Sequence, residues 1–272
     1  MDTYQKLLQA TEFLKPHILQ NPSVGIVLGS GLGNFANEII IEKEFEYNTI
    51  PHFPVSTVEG HQGKLLVGSI AGKSVIAMAG RFHFYEGYSA EEVVFPIRVM
   101  KLLGIKTLFI SNAAGGVKRG FKVGDLMIIT DHISLAAKNP LLGFNDERIG
   151  PRFPDMSEPY KKDLILKAKK LASENHIHVK EGVYFGVTGP TFETRAEYKL
   201  IQVLGGDAVG MSTVQEVIAA VHSGMDVFAM SVITDIGIRE DDNTITHEEV
   251  LEAAQNAEPL FSIIFRELIK TL

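Results

Sequence analysis

The sequence predicts an α/β fold in which helices flank a largely buried sheet. A series of short apolar runs has strand composition, and several are apolar without interruption, as in strands covered on both faces. Between some of them the apolar spacing changes to the helical period of about 3.6. Capping residues stand where these helical stretches begin.

Along the chain, Tyr4, Leu7, Leu8, Leu14 and Ile18 give a first amphipathic helix. The strand-like runs follow: VGIVL at 24–28, KLLVGSI at 64–70, SVIAMAG at 74–80, TLFISN at 107–112, LMIITDHI at 126–133, GVYFGVTG at 182–189, AVGM at 208–211 and VFAMSVITD at 227–235. Residues 89–104 read as a helix opened by Ser89 with Glu92 three residues on; Pro96, lacking an N–H, should bend or shorten it. Residues 194–206 carry the Thr194/Glu197 capping box and end in glycines. Residues 212–224 begin with Ser212 and Gln215 and place Val214, Val217, Ile218 and Val221 on one face. A last helix runs from about 246 to 268. Residues 134–160, rich in Pro and Gly and without periodicity, read as a long loop of the functional kind. No repeat or composition break divides the chain, which reads as one domain over 1–272.

Composition removes several classes of function. The 272 residues include no cysteine, which excludes disulfides, thiolate metal sites and cysteine nucleophiles. A formal net charge of −7, with no dense basic run, opposes nucleic-acid binding. The KAKK stretch at 167–170 reads as a solvated helix face. No apolar run is long enough to span a bilayer. The start MDTYQKLLQATEF has no secretion signal pattern, so the expected location is the cytoplasm.

Strand ends carry the chemistry. In VGIVLGSGLGNFA (24–36) an apolar run meets glycines, with a helix expected after them. Gly31, Gly33 and Ala36 fit the dinucleotide spacing, but the acid required about 20 positions on is missing, because that place reads IPHFP. Glu42, Glu44 and Glu46 come too early and read as a solvated face. A tight turn and a phosphate cradle remain as alternatives, Ser30 adding a hydroxyl to the second. GSIAGKS (68–74) is one residue short of a Walker A loop, lies between β-type runs and reads as a hairpin turn. No G-x-S-x-G elbow is present, and HIH (176–178) has no third metal ligand nearby. GRFHFYEGYS (80–89) is more specific: Arg81 and His83 alternate with Phe82 and Phe84, so both polar side chains share one face and suit an anion. SNAAGG (111–116) and VGMSTVQE (209–216) repeat the pattern of a strand running into an anion-ready turn, the second at Ser212.

Together, VLGSGLG, VEGHQGKLLVG, GRFHFYEGYS, SNAAGGV, RFPDMS, GPTFETRAE, VGMSTVQEV and HEEVL resemble the trimeric, low-molecular-mass purine nucleoside phosphorylase family, in order and over nearly the whole chain. The resemblance implies a single domain with a mixed, largely buried sheet flanked by helices. It implies phosphorolysis of purine (deoxy)ribonucleosides in purine salvage by a homotrimer, with inorganic phosphate as co-substrate and no metal or organic cofactor. By motif, it places Ser30, Arg81, His83, the Ala113 amide and Ser212 at phosphate, with His61 at the phosphate entrance. Tyr85, Met211 and His247 would hold the ribose, His247 towards the 5′-hydroxyl. Phe192 would pack on sugar and base, Glu193 would read the purine N1, and Asn112 would lie near phosphate and pentose. Phe153, in the long loop, would cover the neighbouring subunit's site.

One position departs from the family. Asp235, in SVITDIG, stands where 6-oxopurine-specific members carry asparagine. A protonated carboxyl donates to the purine N7 as a leaving-group acid, and an ionised one accepts from a 6-amino group. The expectation is a catalytic set of His83, Asn112 and Asp235, with specificity broadened towards adenosine; the rival is compensation by Thr234. A 5′-methylthioadenosine phosphorylase is the close alternative, disfavoured by the polar His247. A nicotinamide-dependent oxidoreductase would rest on Gly31, Gly33 and Ala36 alone, and a non-catalytic nucleoside binder has no use for the phosphate donors.

Overall fold

The computed structural model describes residues 1–18, 21–55, 63–238 and 245–272. Their strands are β1 (Val24–Leu28), β2 (Ile40–Glu46), β3 (Lys64–Ile70), β4 (Lys73–Ala79), β5 (Thr107–Gly116), β6 (Leu126–Ile133), β7 (Val179–Gly186), β8 (Ala208–Gly210) and β9 (Asp226–Ile236). They form one sheet in the order β2-β3-β4-β1-β5-β8-β7-β6-β9. Because β9 also pairs with β5, the last five strands of that order close into a ring. The sheet is mixed: β1 runs parallel to β4 and β5, and β5 parallel to β9, whereas β2–β3, β3–β4, β5–β8 and β6–β9 are antiparallel. All five residues of β1 are buried, which explains its uninterrupted apolar run.

The helices are α1 (Thr3–Leu14), α2 (Ala90–Val93), α3 (Phe95–Leu102), α4 (Lys162–Glu174), α5 (Arg195–Val203), α6 (Val214–His222) and α7 (His247–Lys270). Ser89 caps α2 with Glu92 as expected, and the chain breaks at Val94 so that Pro96 enters the first turn of α3, where no donor is needed. The Thr194 and Thr246 capping boxes open α5 and α7. No helix among the described residues is long and apolar enough to cross a membrane.

Two elements differ from the sequence expectation. β2 is an edge strand with only Phe45 buried, so it lacks the apolar signal of the covered strands; Glu42, Glu44 and Glu46 are its solvated residues. The glycine cluster after β1 leads into a short 3-10 segment, Gly33–Glu38, and not into the α-helix that a dinucleotide fold needs. The GSIAGKS stretch is a hairpin as expected, with Ala71 and Gly72 between antiparallel β3 and β4.

Helix α7 fixes the site to the sheet. Its Phe261 and Phe265 lie edge-on to Phe35 just after the glycine cluster, with ring centroids 5.8 Å apart in each pair. Phe265 also meets Phe109 of β5 at 5.4 Å and Phe228 of β9 at 5.8 Å. Burial of each such side chain contributes about 1.5–3 kcal/mol. These contacts anchor the second half of α7 to the sheet, while its first turn, at His247 and Val250, lines the cavity.

Candidate active site

A cavity of about 520 Å³ lies at the carboxyl ends of β1, β4, β5 and β9, beside β8, where α/β sheets place ligands. Its first end is built from turns. β1 delivers Ser30 through Gly29 and Gly31. Gly31 has φ +74°, and a Cβ there would come within 2.5 Å of the Ala254 side chain on α7, so only glycine fits. Glu258 of α7 accepts the Phe35 N–H at 2.8 Å and holds the loop from its far side.

β4 delivers Arg81 and His83, which are 1 % and 6 % exposed. Arg81 Nε donates to Glu216 Oε1 at 3.0 Å, and Nη1 donates to Ser212 Oγ at 3.1 Å. His83 Nδ1 lies 3.1 Å from Glu86 Oε1. A carboxylate only accepts, so Nδ1 carries the hydrogen and Nε2 is the acceptor of the neutral ring. Burial lowers the His83 pKa below its ordinary value, against the opposing pull of Glu86. The ring stacks on Tyr85 at 4.6 Å and 16°. Burial pushes the Tyr85 phenol up to about 12, so it remains a neutral donor.

Ser212 does not cap α6, contrary to the sequence reading. The cap position falls to Thr213, whose φ is +71° and whose side chain makes no cap hydrogen bond. Val214 N donates to Ser212 O at 2.7 Å, closing a γ-turn that is strained for a β-branched residue. Asn112 Nδ2 donates to Thr213 Oγ1 at 2.8 Å and holds the turn; the Ser212 hydroxyl then faces Arg81.

The second end carries carboxylates. A bulge between β5 and β9 makes Thr234 the extra residue, with Ala114 opposite Ile233 and Gly115 opposite Asp235. A regular strand would send Thr234 and Asp235 to opposite faces; here both line the cavity. Thr234 Oγ1 lies 3.2 Å from Asp235 Oδ1. A Cβ on Gly115 would stand 2.9 Å from Asp235 Oδ2, so the glycine makes room for the carboxyl group. Glu193 enters from the segment between β7 and α5. Burial raises its pKa above the usual carboxylate value and the charge of Asp235 adds to this, whereas the nearby Tyr198 phenol opposes it.

Residues 23–270 match the family described as the phosphorylase superfamily. The chain belongs to the phosphorylase superfamily. Purine nucleoside phosphorylase 1 of Bacillus subtilis (strain 168) is 49 % identical over 264 residues, covering 97 % of each chain. Two Schistosoma mansoni purine nucleoside phosphorylase structures superpose closely. Isoform 2, in complex with cytosine and ribose-1-phosphate, has a TM-score of 0.94 at 45 % identity, covering 99 % of this chain and 97 % of that one. The other, in complex with adenosine, has a TM-score of 0.92 at 41 % identity, covering 98 % and 97 %.

In this superfamily member the expected site residues converge. Ser30, Arg81, His83, Asn112, Ala113 and Ser212 line the cavity at its first end; Tyr85, Phe192, Glu193, Met211, Thr234, Asp235 and His247 complete it. His61 lies outside the described residues. Phe153 does not reach this cavity. It is 88 % exposed and lines a second one of about 470 Å³ with Arg152 and Met156. Sequence reasoning missed Glu86, Tyr198 and Glu216. Glu86 is visible in retrospect three residues after His83; Glu216 looks like any first-turn acid of a helix, and Tyr198 like a core aromatic.

Proposed function

We propose that the chain is a purine nucleoside phosphorylase that cleaves purine (deoxy)ribonucleosides, inosine and guanosine among them, to free base and (deoxy)ribose 1-phosphate. One observation carries this reading. A single cavity joins an anion set, Arg81, Ser212 and His83, to a carboxylate set, Glu193 and Asp235. Ser30, Arg81, His83, the Ala113 amide and Ser212 would hold phosphate, and neutral His83 accepts the one proton of the hydrogen-phosphate dianion at Nε2. Tyr85, Met211 and His247 would hold the pentose, Phe192 would pack on sugar and base, and His61 would stand at the phosphate entrance. Asn112 fixes the turn that presents Ser212.

In the reaction the C1′–N9 bond breaks with its electron pair moving to the purine, while a phosphate oxygen bonds to C1′. The phosphate dianion stabilises the positive charge on the pentose. A proton donated at N7 neutralises the departing base, and Asp235 in its protonated form would supply it. Glu193 would read N1. Inorganic phosphate is the co-substrate, and the scheme calls on no metal or organic cofactor.

The wider setting is part of the same reading: one catalytic domain over 1–272, acting in the cytoplasm in purine salvage, and a homotrimer in which Phe153 covers the neighbouring subunit's cavity. Its support is the apolar surface of the long loop, where Phe144 is 95 % and Phe153 88 % exposed. Asp235 favours a second, broader specificity that includes adenosine, because the same carboxyl group, when ionised, accepts from a 6-amino group. The test is base release from inosine, guanosine and adenosine, each with and without phosphate. We expect phosphate-dependent release from all three; release without phosphate, or none, would overturn the assignment.

A further inference from the structure

We propose that Glu216 is a positioning residue that aims the Arg81 guanidinium at bound phosphate. The proposal rests on reading the cavity as a phosphorylase site. Arg81 and Ser212 line the cavity wall and Glu216 does not, so Glu216 acts on a ligand through its neighbours, and the side chain it touches is Arg81. The two side chains are 1 % and 3 % exposed, so water does not compete for the contact. Glu216 Oε1 takes the Nε edge at 3.0 Å, and Ser212 Oγ takes Nη1 at 3.1 Å. A guanidinium is a rigid planar fork, so fixing Nε and one Nη fixes the direction of all its donors.

Glu216 and Ser212 come from one short stretch, 212–216, on either side of the Thr213 γ-turn. The turn that Asn112 clamps therefore sets Ser212 and Glu216 relative to each other, and through them the fork. Glu216 also compensates the buried cation before phosphate arrives. Its removal should be felt in phosphate binding and hardly at all in nucleoside binding, since no base or pentose contact runs through it.

The experiment compares Glu216→Ala, Glu216→Gln and Glu216→Asp with the wild-type protein. Inorganic phosphate is titrated calorimetrically without nucleoside, and the KM values for phosphate and inosine are then measured. Glu216→Ala should weaken phosphate binding about tenfold or more and leave the inosine KM within about twofold. Glu216→Gln, whose amide oxygen still accepts from Nε, should recover most of the loss. If the alanine variant does not fold, Glu216→Asp replaces it: the charge stays, the reach is lost, and phosphate should weaken where the glutamine variant holds. Equal behaviour of the glutamine and shortened variants, or parallel shifts in both KM values, would overturn the proposal. A wild-type protein that neither binds phosphate nor cleaves inosine would overturn the phosphorylase reading instead.

Discussion

The Arg81 end and the Glu193 end of the cavity are built on different principles. At the first, Arg81, His83 and Asn112 are all at most 6 % exposed, and each is fixed by a named partner: Glu216, Glu86 and Thr213. At the second, Thr234 and Asp235 are as deeply buried, but Phe192 is 41 % exposed and Glu193 comes from the segment between two elements. An anion has one shape and demands fixed donors before it arrives. A base is read by a few groups whose charge state decides which pattern they accept. The first end therefore resists substitution as a unit, whereas the second retunes residue by residue.

The hardest way to break this contrast is Arg81→Met. It removes the cation and leaves Glu216 buried without compensation, which costs about 3–5 kcal/mol of stability. Phosphate-dependent turnover should fall about 10²–10³-fold. Adding Glu216→Gln to it should restore stability, measured by denaturant unfolding, without restoring turnover. An Arg81→Met protein as stable as the wild type would mean that the ion pair does not organise this end.

Asp235→Asn tests the second end and should cost less. The amide removes the ionised acceptor, so the ratio of kcat/KM for adenosine over inosine should fall about tenfold, with phosphate affinity unchanged. A constant ratio would show that Asp235 faces the cavity without reading the base, and would give that role to Thr234.

How well the sequence announced each end follows from the same difference. The first end sits where buried strands run into small residues, so the apolar runs and their Gly, Ser and Asn endings expose Ser30, Arg81, His83 and Ser212 directly. The sheet was legible for the same reason, except at β2, where an edge strand carries no apolar run. What stayed hidden were side chains acting across the fold. Glu216 reaches Arg81 over 135 positions, and no local pattern marks it. The bulge at Thr234 depends on pairing between distant strands, so the shared direction of Thr234 and Asp235 could not be read from alternation. The strained Thr213 turn displaced the Ser212 cap because Asn112 supplies a tertiary hydrogen bond that local propensity does not contain.

The gentlest probe is Tyr198→Phe. Tyr198 is 3 % exposed, lines the cavity beside Glu193 and lowers the pKa of that carboxyl group. Deleting one hydroxyl removes about 0.5–1.5 kcal/mol, so the nucleoside KM should rise about two- to tenfold. The sign of the pH effect follows from the causes of the Glu193 shift. Burial already raises its pKa, and Tyr198 holds it down by stabilising the ionised form. Without that hydroxyl the carboxyl group protonates at a higher pH, so the acid limb of kcat/KM for inosine moves upward. Burial of His83 shifts it the other way, and its ring stays neutral as the pH falls through its ordinary value. Phosphate affinity should therefore keep its pH profile in the same variant. A matching shift at both ends would mean that the two are electrostatically coupled, and the division between a fixed anion end and a tunable base end would have to be abandoned.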